Sequence, residues 1–230
     1  MKNNFNLHSF KSSEALVATL SDTIISALKS AIEQRGHAFI ALSGGSTPKK
    51  LFEILSRADL EWNKVIITLV DERWVSTNSA ESNENLIKNT LLQNNASFAN
   101  FIPLKNSALE AQDGVLITAN RLQEIDKLDI VVLGMGGDGH TASFFPHAKG
   151  LENALTTKEL CCATEATAAP YSRITLSRNF LLSAEHLFLH IEGEQKRNVF
   201  DLACGSSDEL EMPIIAMMQQ TQPKLEVYYA

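Results

Sequence analysis

Cysteine is scarce in this chain and is not spaced to build anything. Cys161, Cys162 and Cys204 are odd in number, two are adjacent, and no CxxC occurs. That pattern excludes a disulfide framework and a cysteine-ligated zinc site, and it fits a reduced compartment. Long runs of Lys and Arg are also missing: 20 basic residues face 27 acidic ones, a formal charge of −7. An acidic chain of this kind suits neither nucleic acid nor an anionic membrane surface. The opening Met1-Lys2-Asn3-Asn4-Phe5-Asn6 lacks the apolar core of a secretory signal. No unbroken apolar run approaches the roughly 18 residues of a membrane span, so the expected location is the cytoplasm. Internal repeats, low-complexity tracts and Pro/Gly-rich linkers are absent as well.

What remains is an ordinary globular composition of 230 residues, 44% hydrophobic and 20% charged. Such a chain buries a sizeable core without metal or disulfide staples, and its length suits one domain over residues 1–230. Nothing in it signals an oligomeric state.

The first periodic segment is helical. Leu16, Leu20, Ile24, Leu28 and Ile32 recur every four residues, with Ser12 or Ser13 as the cap and Gly36 as the stop. A short apolar burst, Ala38 to Leu42, is bounded by Ser43-Gly44-Gly45 and reads as a buried strand, and Pro48 sits where a helix would begin. The alternation continues with strand Val65–Val70, a helix from about Glu81 to Leu92, another over roughly Ala108–Ile125, and strand Leu128–Leu133. Further strands are expected near Leu160–Thr164, Arg173–Leu176, His186–Ile191 and Leu225–Tyr229, with a helix from Glu194 to about Ala203. Buried strands alternating with helices predict an α/β fold, a mostly parallel Rossmann-like sheet with helices on both faces. Ligands of such sheets bind at the carboxyl ends of the strands. Three polar loops, after Leu42, Val70 and Leu133, all begin there.

Each loop has its own chemistry. Ser43-Gly44-Gly45-Ser46-Thr47-Pro48 combines close backbone approach, hydroxyl donors and a following helix N-terminus, which suits a phosphate. It is not a P-loop, since no Gly-Lys-Ser/Thr ending is present. Asp71-Glu72-Arg73 places three charges directly after an apolar strand, expensive unless they are paired or serve a site. Gly134-Met135-Gly136-Gly137-Asp138-Gly139-His140 contains a literal GxGxxG, but it lies past the midpoint, carries an acid where a pyrophosphate would sit, and is stopped early by Pro146. It offers instead an imidazole beside a carboxylate, and His140 is the candidate general base among six histidines. His186 and His190, on a strand pattern, read as structural. A metal held by His140, Asp138 and His147 would lack a recognisable ligand spacing. Arg173 opens a strand, and Lys196 stands in the first turn of a helix, where a cation is misplaced unless an anion binds there.

Taken together and in this order, these segments, with Ser82-Asn83, Arg173-Ile174-Thr175-Leu176 and Gly193-Glu194-Gln195-Lys196, resemble the 6-phosphogluconolactonases of the glucosamine-6-phosphate isomerase/6-phosphogluconolactonase superfamily. The resemblance spans about residues 40 to 200. The isomerase branch carries a glutamate before the proline of its Asp-Gly-His loop and a tyrosine after its first carboxylates; here Phe145 and Arg73 occupy those places. Ser76 and Phe144 depart from the residues most common in the family. The resemblance implies a cofactor-free and metal-free hydrolase of a phosphorylated sugar lactone. It implies that Ser43, Gly44, Gly45, Ser46, Thr47, Arg173 and Lys196 hold the phosphate, and that His140 activates water. Arg73 is then expected to stabilise the oxyanion, and Asp138 or Asp71 to orient His140. A covalent route through Ser43 or Ser143 lacks the GxSxG elbow.

Overall fold

A computed structural model describes residues 4–230. The chain begins with β1 (Phe5–Ser9), α1 (Ser13–Arg35), β2 (Ala38–Leu42), α2 (Lys49–Ser56), β3 (Val65–Leu69) and β4 (Asp71–Arg73). The middle comprises α3 (Asn83–Thr90), β5 (Asn100–Ile102), α4 (Ala111–Leu122), β6 (Ile130–Leu133) and α5 (Leu151–Thr156). Last come β7 (Cys161–Glu165), β8 (Ser172–Leu176), α6 (Arg178–Leu181), β9 (His186–Ile191), α7 (Glu194–Cys204), α8 (Ile215–Met218) and β10 (Leu225–Tyr229).

Seven strands form one sheet in the order β1-β10-β9-β6-β2-β3-β5, and every neighbouring pair is parallel. All residues of β2 and β6 are buried, as the unbroken apolar runs require of strands covered on both faces. From β2 the chain moves outward to β3 and β5; from β6 it moves the other way to β9 and β10. The adjacent pair β2 and β6 is thus the switch point of the sheet, and a cleft is expected beyond its carboxyl ends.

The helix α1 starts at Ser12, whose hydroxyl accepts from Ala15 N at 3.3 Å. By length and a mean hydropathy of 1.4 it could cross a bilayer. Its stripe of Leu16, Leu20, Ile24 and Leu28 is instead fully buried, packed on β2, β6 and β10. The apolar content of α1 is that of a core helix.

Two expectations change. The strands near residues 160 and 173 do not join the parallel sheet. They form β7 and β8 of a separate antiparallel sheet, ordered β4-β8-β7. Asp71-Glu72-Arg73, expected as a loop, is the third strand of that sheet. Val70 makes the joint: its N–H donates to Leu42 O at 3.0 Å, and its carbonyl accepts from Leu176 N at 2.8 Å. One residue therefore hands the chain from the large sheet to the small one. The strand β1 was not foreseen either; it is a short edge strand beside β10, and only two of its five residues repeat an apolar type.

The fully buried Glu72 fixes where β4 points. Its carboxylate accepts from Arg73 N at 2.7 Å, Asn83 N at 2.8 Å, Glu84 N at 2.7 Å and Ser82 Oγ at 3.0 Å. It closes the N-terminus of α3, where a negative charge meets free N–H groups and the positive dipole end. Burial raises its pKa, and the four hydrogen bonds pull against that rise. In Glu72→Gln an amide NH2 replaces one acceptor oxygen and faces two donors. The variant should lose about 2–3 kcal/mol of stability with an unchanged m-value, measured by urea denaturation.

Candidate active site

The three loops foreseen at strand ends converge on one cleft of about 270 Å³. Its first wall is the turn after β2. Ser43 is buried, and its hydroxyl accepts from Gly134 N at 3.0 Å, tying this turn to the loop after β6. Gly44 lies so close to the Asn83 side chain that a Cβ would overlap it. The N–H groups of Gly44, Gly45, Ser46 and Thr47 make no hydrogen bond within the described residues. They form an open set of donors ahead of α2, which begins at Lys49, one residue after Pro48.

The second wall comes from β4, β8 and α3. Asp71 is buried; its Oδ2 accepts from Ser143 Oγ at 2.5 Å and its Oδ1 from Asn83 Nδ2 at 3.3 Å. Arg73 donates to the Glu81 carbonyl. Arg173 sits opposite Arg73 in the β4–β8 register, so two guanidinium side chains leave the same face of the ribbon. Arg173 is only 6% exposed, and its Nε and Nη1 are buried without a hydrogen-bond partner among the described residues. Burial lowers its pKa, the charge of Asp71 opposes this, and Arg73 adds to it. A buried, unsatisfied cation facing a like charge is costly unless an anion arrives.

The third wall is the glycine-rich loop after β6. It folds back on itself through Gly136 N to His140 O at 2.8 Å. Asp138 Oδ1 accepts both from His140 Nδ1, at 2.5 Å, and from the His140 backbone N–H, at 3.2 Å. A Cβ on residue 136 would strike the His140 ring and the Asp138 carboxylate, so only glycine admits this pair. With Nδ1 engaged, Nε2 of His140 has no hydrogen-bond partner among the described residues. The ring rests on Phe145, centroids 4.3 Å apart, and the Arg173 guanidinium lies 5.8 Å from the same Phe145 ring. Burial pushes the Asp138 carboxyl up, but the hydrogen bond and charge of His140 outweigh it and bring the pKa down to about 2. Lys196, in the first turn of α7, also lines the cleft; burial lowers its pKa against the charge of Asp138.

Every site residue picked from sequence lines this cleft except Asp138, which stands behind His140. The Asp71 carboxylate bonds to Ser143 and Asn83 rather than to the His140 ring. Among the lining residues outside that set, Asn83, Phe145 and His190 bring side chains that bond or stack. Asn83 could have been suspected from its place after the Ser82 cap. No sequence signal separates His190 from a core histidine. Among the described residues no three His, Cys, Asp or Glu side chains group to hold a metal, and His147 pairs with Glu211 at 2.6 Å.

Comparison with known proteins gives a consistent picture. Residues 11–227 match the family described as glucosamine-6-phosphate isomerases/6-phosphogluconolactonase. A 6-phosphogluconolactonase of Rhizobium meliloti is 44% identical over 228 residues, covering 98% of both chains. The crystal structure of a 6-phosphogluconolactonase from Shewanella baltica superposes with a TM-score of 0.97 at 45% identity, covering 100% of this chain and 99% of that one. A structure from Neisseria gonorrhoeae, described as a putative 6-phosphogluconolactonase, gives 0.91 at 35% identity, covering 98% and 99%.

The Asp138–His140 pair can be tested by titration. The Asp138 carboxyl should titrate near 2 in the intact protein and return towards about 3.9 in His140→Ala, followed by carboxyl carbon NMR. Because the folded pKa is depressed, the pair's contribution to stability is present above about pH 4 and fades as pH falls towards 2.

Proposed function

The chain belongs to the glucosamine-6-phosphate isomerase/6-phosphogluconolactonase family, and we propose that it hydrolyses 6-phospho-D-glucono-1,5-lactone to 6-phosphogluconate, a step of the pentose phosphate pathway, without metal or cofactor. One juxtaposition carries this reading. A histidine with a free Nε2 and a carboxylate on Nδ1 shares a cleft with a buried guanidinium whose Nε and Nη1 have no hydrogen-bond partner among the described residues.

In the proposed reaction the phosphate occupies the open N–H groups of residues 44–47, with Arg173 and Lys196 supplying charge. This accounts for an anion being captured by a chain of net charge −7: the cations are local and partly desolvated, where they act most strongly. Asp138 accepts a hydrogen bond from the Nδ1–H of His140, which leaves the Nε2 lone pair facing a water molecule. His140 takes a proton from that water as its oxygen attacks C1. Arg73 stabilises the oxyanion that forms on the carbonyl oxygen. The C1–ring oxygen bond then breaks, and the imidazolium returns the proton to the departing oxygen. Asp71 has a supporting role: it holds Asn83 and Ser143 and balances the charge of Arg173.

Phe145 supports lactone opening over sugar isomerisation. The group touching the imidazole is an aromatic ring, where isomerisation would use a second carboxylate. The cytoplasm suits this chemistry and the thiols. Cys161 and Cys162 are buried, and burial pushes their pKa values up to about 12 and about 11.

Freshly generated 6-phosphogluconolactone, followed by NMR and corrected for spontaneous opening, tests the reading. His140→Ala should lower kcat about 10²–10⁴-fold with little change in KM; near-normal turnover would remove His140 as the base. Arg173→Ala should mainly raise KM, and glucono-1,5-lactone without its phosphate should be a poor substrate. Equal turnover of the two lactones would rule out the phosphate clamp.

A further inference from the structure

One residue before its end, the strand β9 carries a histidine, His190, that this mechanism leaves unused. His190 is 3% exposed and lines the cleft. Its Nε2 lies 2.8 Å from Glu192 Oε1, while its Nδ1 is buried and has no hydrogen-bond partner among the described residues. Glu192 is the first residue past β9, and its carboxylate turns back to the His190 ring.

A carboxylate only accepts hydrogen bonds, so the proton of the neutral ring resides on Nε2 and Nδ1 keeps its lone pair. Burial favours the neutral ring, against the pull of Glu192. The result is a buried acceptor with nothing to accept from. Buried polar groups without partners are uncommon in folded proteins and call for an explanation.

The rest of the cleft supplies the contrast. Arg73, Arg173, Lys196 and the N–H groups of residues 44–47 are all donors, fit for phosphate and carbonyl oxygens. Asp71 is engaged by Ser143 and Asn83, and Asp138 by His140. A sugar acid also carries hydroxyl hydrogens, and these need acceptors.

We propose that His190 is a positioning residue whose Nδ1 accepts a hydrogen bond from a hydroxyl of the bound sugar acid, with Glu192 fixing the tautomer. This rests on the reading that the cleft binds a phosphorylated sugar lactone. Such a contact makes the cleft prefer a polyhydroxylated ligand over any other small phosphate, and it holds the chain between phosphate and C1 in one register.

The test uses the intact protein labelled with ¹⁵N-histidine, the His190 signals being assigned with His190→Asn. Adding 6-phosphogluconate should shift His190 Nδ1 within the unprotonated range, while inorganic phosphate leaves it in place. In kinetics, His190→Gln places its amide at the Nε2 position facing Glu192 and leaves no acceptor where Nδ1 stood, so it should raise KM about tenfold, with kcat within about threefold. His190→Asn puts an amide oxygen where Nδ1 stood and should hold KM within about threefold of the parent. Three results overturn the proposal: inorganic phosphate alone moves the His190 signal equally; 6-phosphogluconate moves His140 but not His190; or the Gln and Asn variants behave alike. If no histidine responds to 6-phosphogluconate, the functional reading falls and this proposal falls with it.

Discussion

A carboxylate with no exposure to water, that of Glu72, joins the parts of this molecule that make the cleft. Removing such a charge from water is expensive, and a fully hydrogen-bonded carboxylate is the form in which proteins tolerate it. Here the donors come from three places: the next residue of β4, the Ser82 hydroxyl, and the first N–H groups of α3. Satisfying them requires β4 to run across the start of α3, and that alignment leaves Asp71 and Arg73 on either side of Glu72 facing the cleft. The same contact brings Asn83 beside Gly44 and so connects α3 to the turn after β2.

The cleft is electrostatically unlike the chain that builds it. The protein as a whole is acidic, yet Arg73, Arg173 and Lys196 line one small space. The pairing of β4 with β8 places the two arginines opposite each other, an arrangement a ribbon would normally avoid. Partial relief comes from the buried Asp71, whose own position is held by Ser143 and Asn83. Structural polar contacts thus support a repulsive pair that suits an anionic ligand.

The loop after β6 meets a different demand, that of holding one imidazole in one orientation. Its glycines matter at the point of contact, since a side chain at residue 136 would occupy the space of the His140 ring. Asp138 engages the ring nitrogen and the backbone of the same histidine, and Phe145 covers a ring face. A group fixed on both edge and face loses little freedom when a ligand arrives, as positioned acid–base chemistry requires.

Hydrophobic periodicity alone determined the helix over Ser13–Arg35, the interior strands β2, β3, β6 and β9, and the parallel α/β class, because burial on both faces leaves unbroken apolar runs. It also determined that polar loops would end those strands at one edge, and the candidate residues chosen from them line one cleft, with Asp138 behind His140. What it could not determine was anything that depends on pairing between distant segments. The exit of Asp71–Arg73 into a second sheet follows from bonds between Val70 and Leu176, more than a hundred residues apart. The choice of Asp138 over Asp71 as the partner of His140 rests on a local turn that frees one carboxylate and on the Ser143 and Asn83 contacts that engage the other. The single-sided bonding of His190 is a tertiary fact as well, since a strand sequence states which residues alternate but not which atoms are left without a partner.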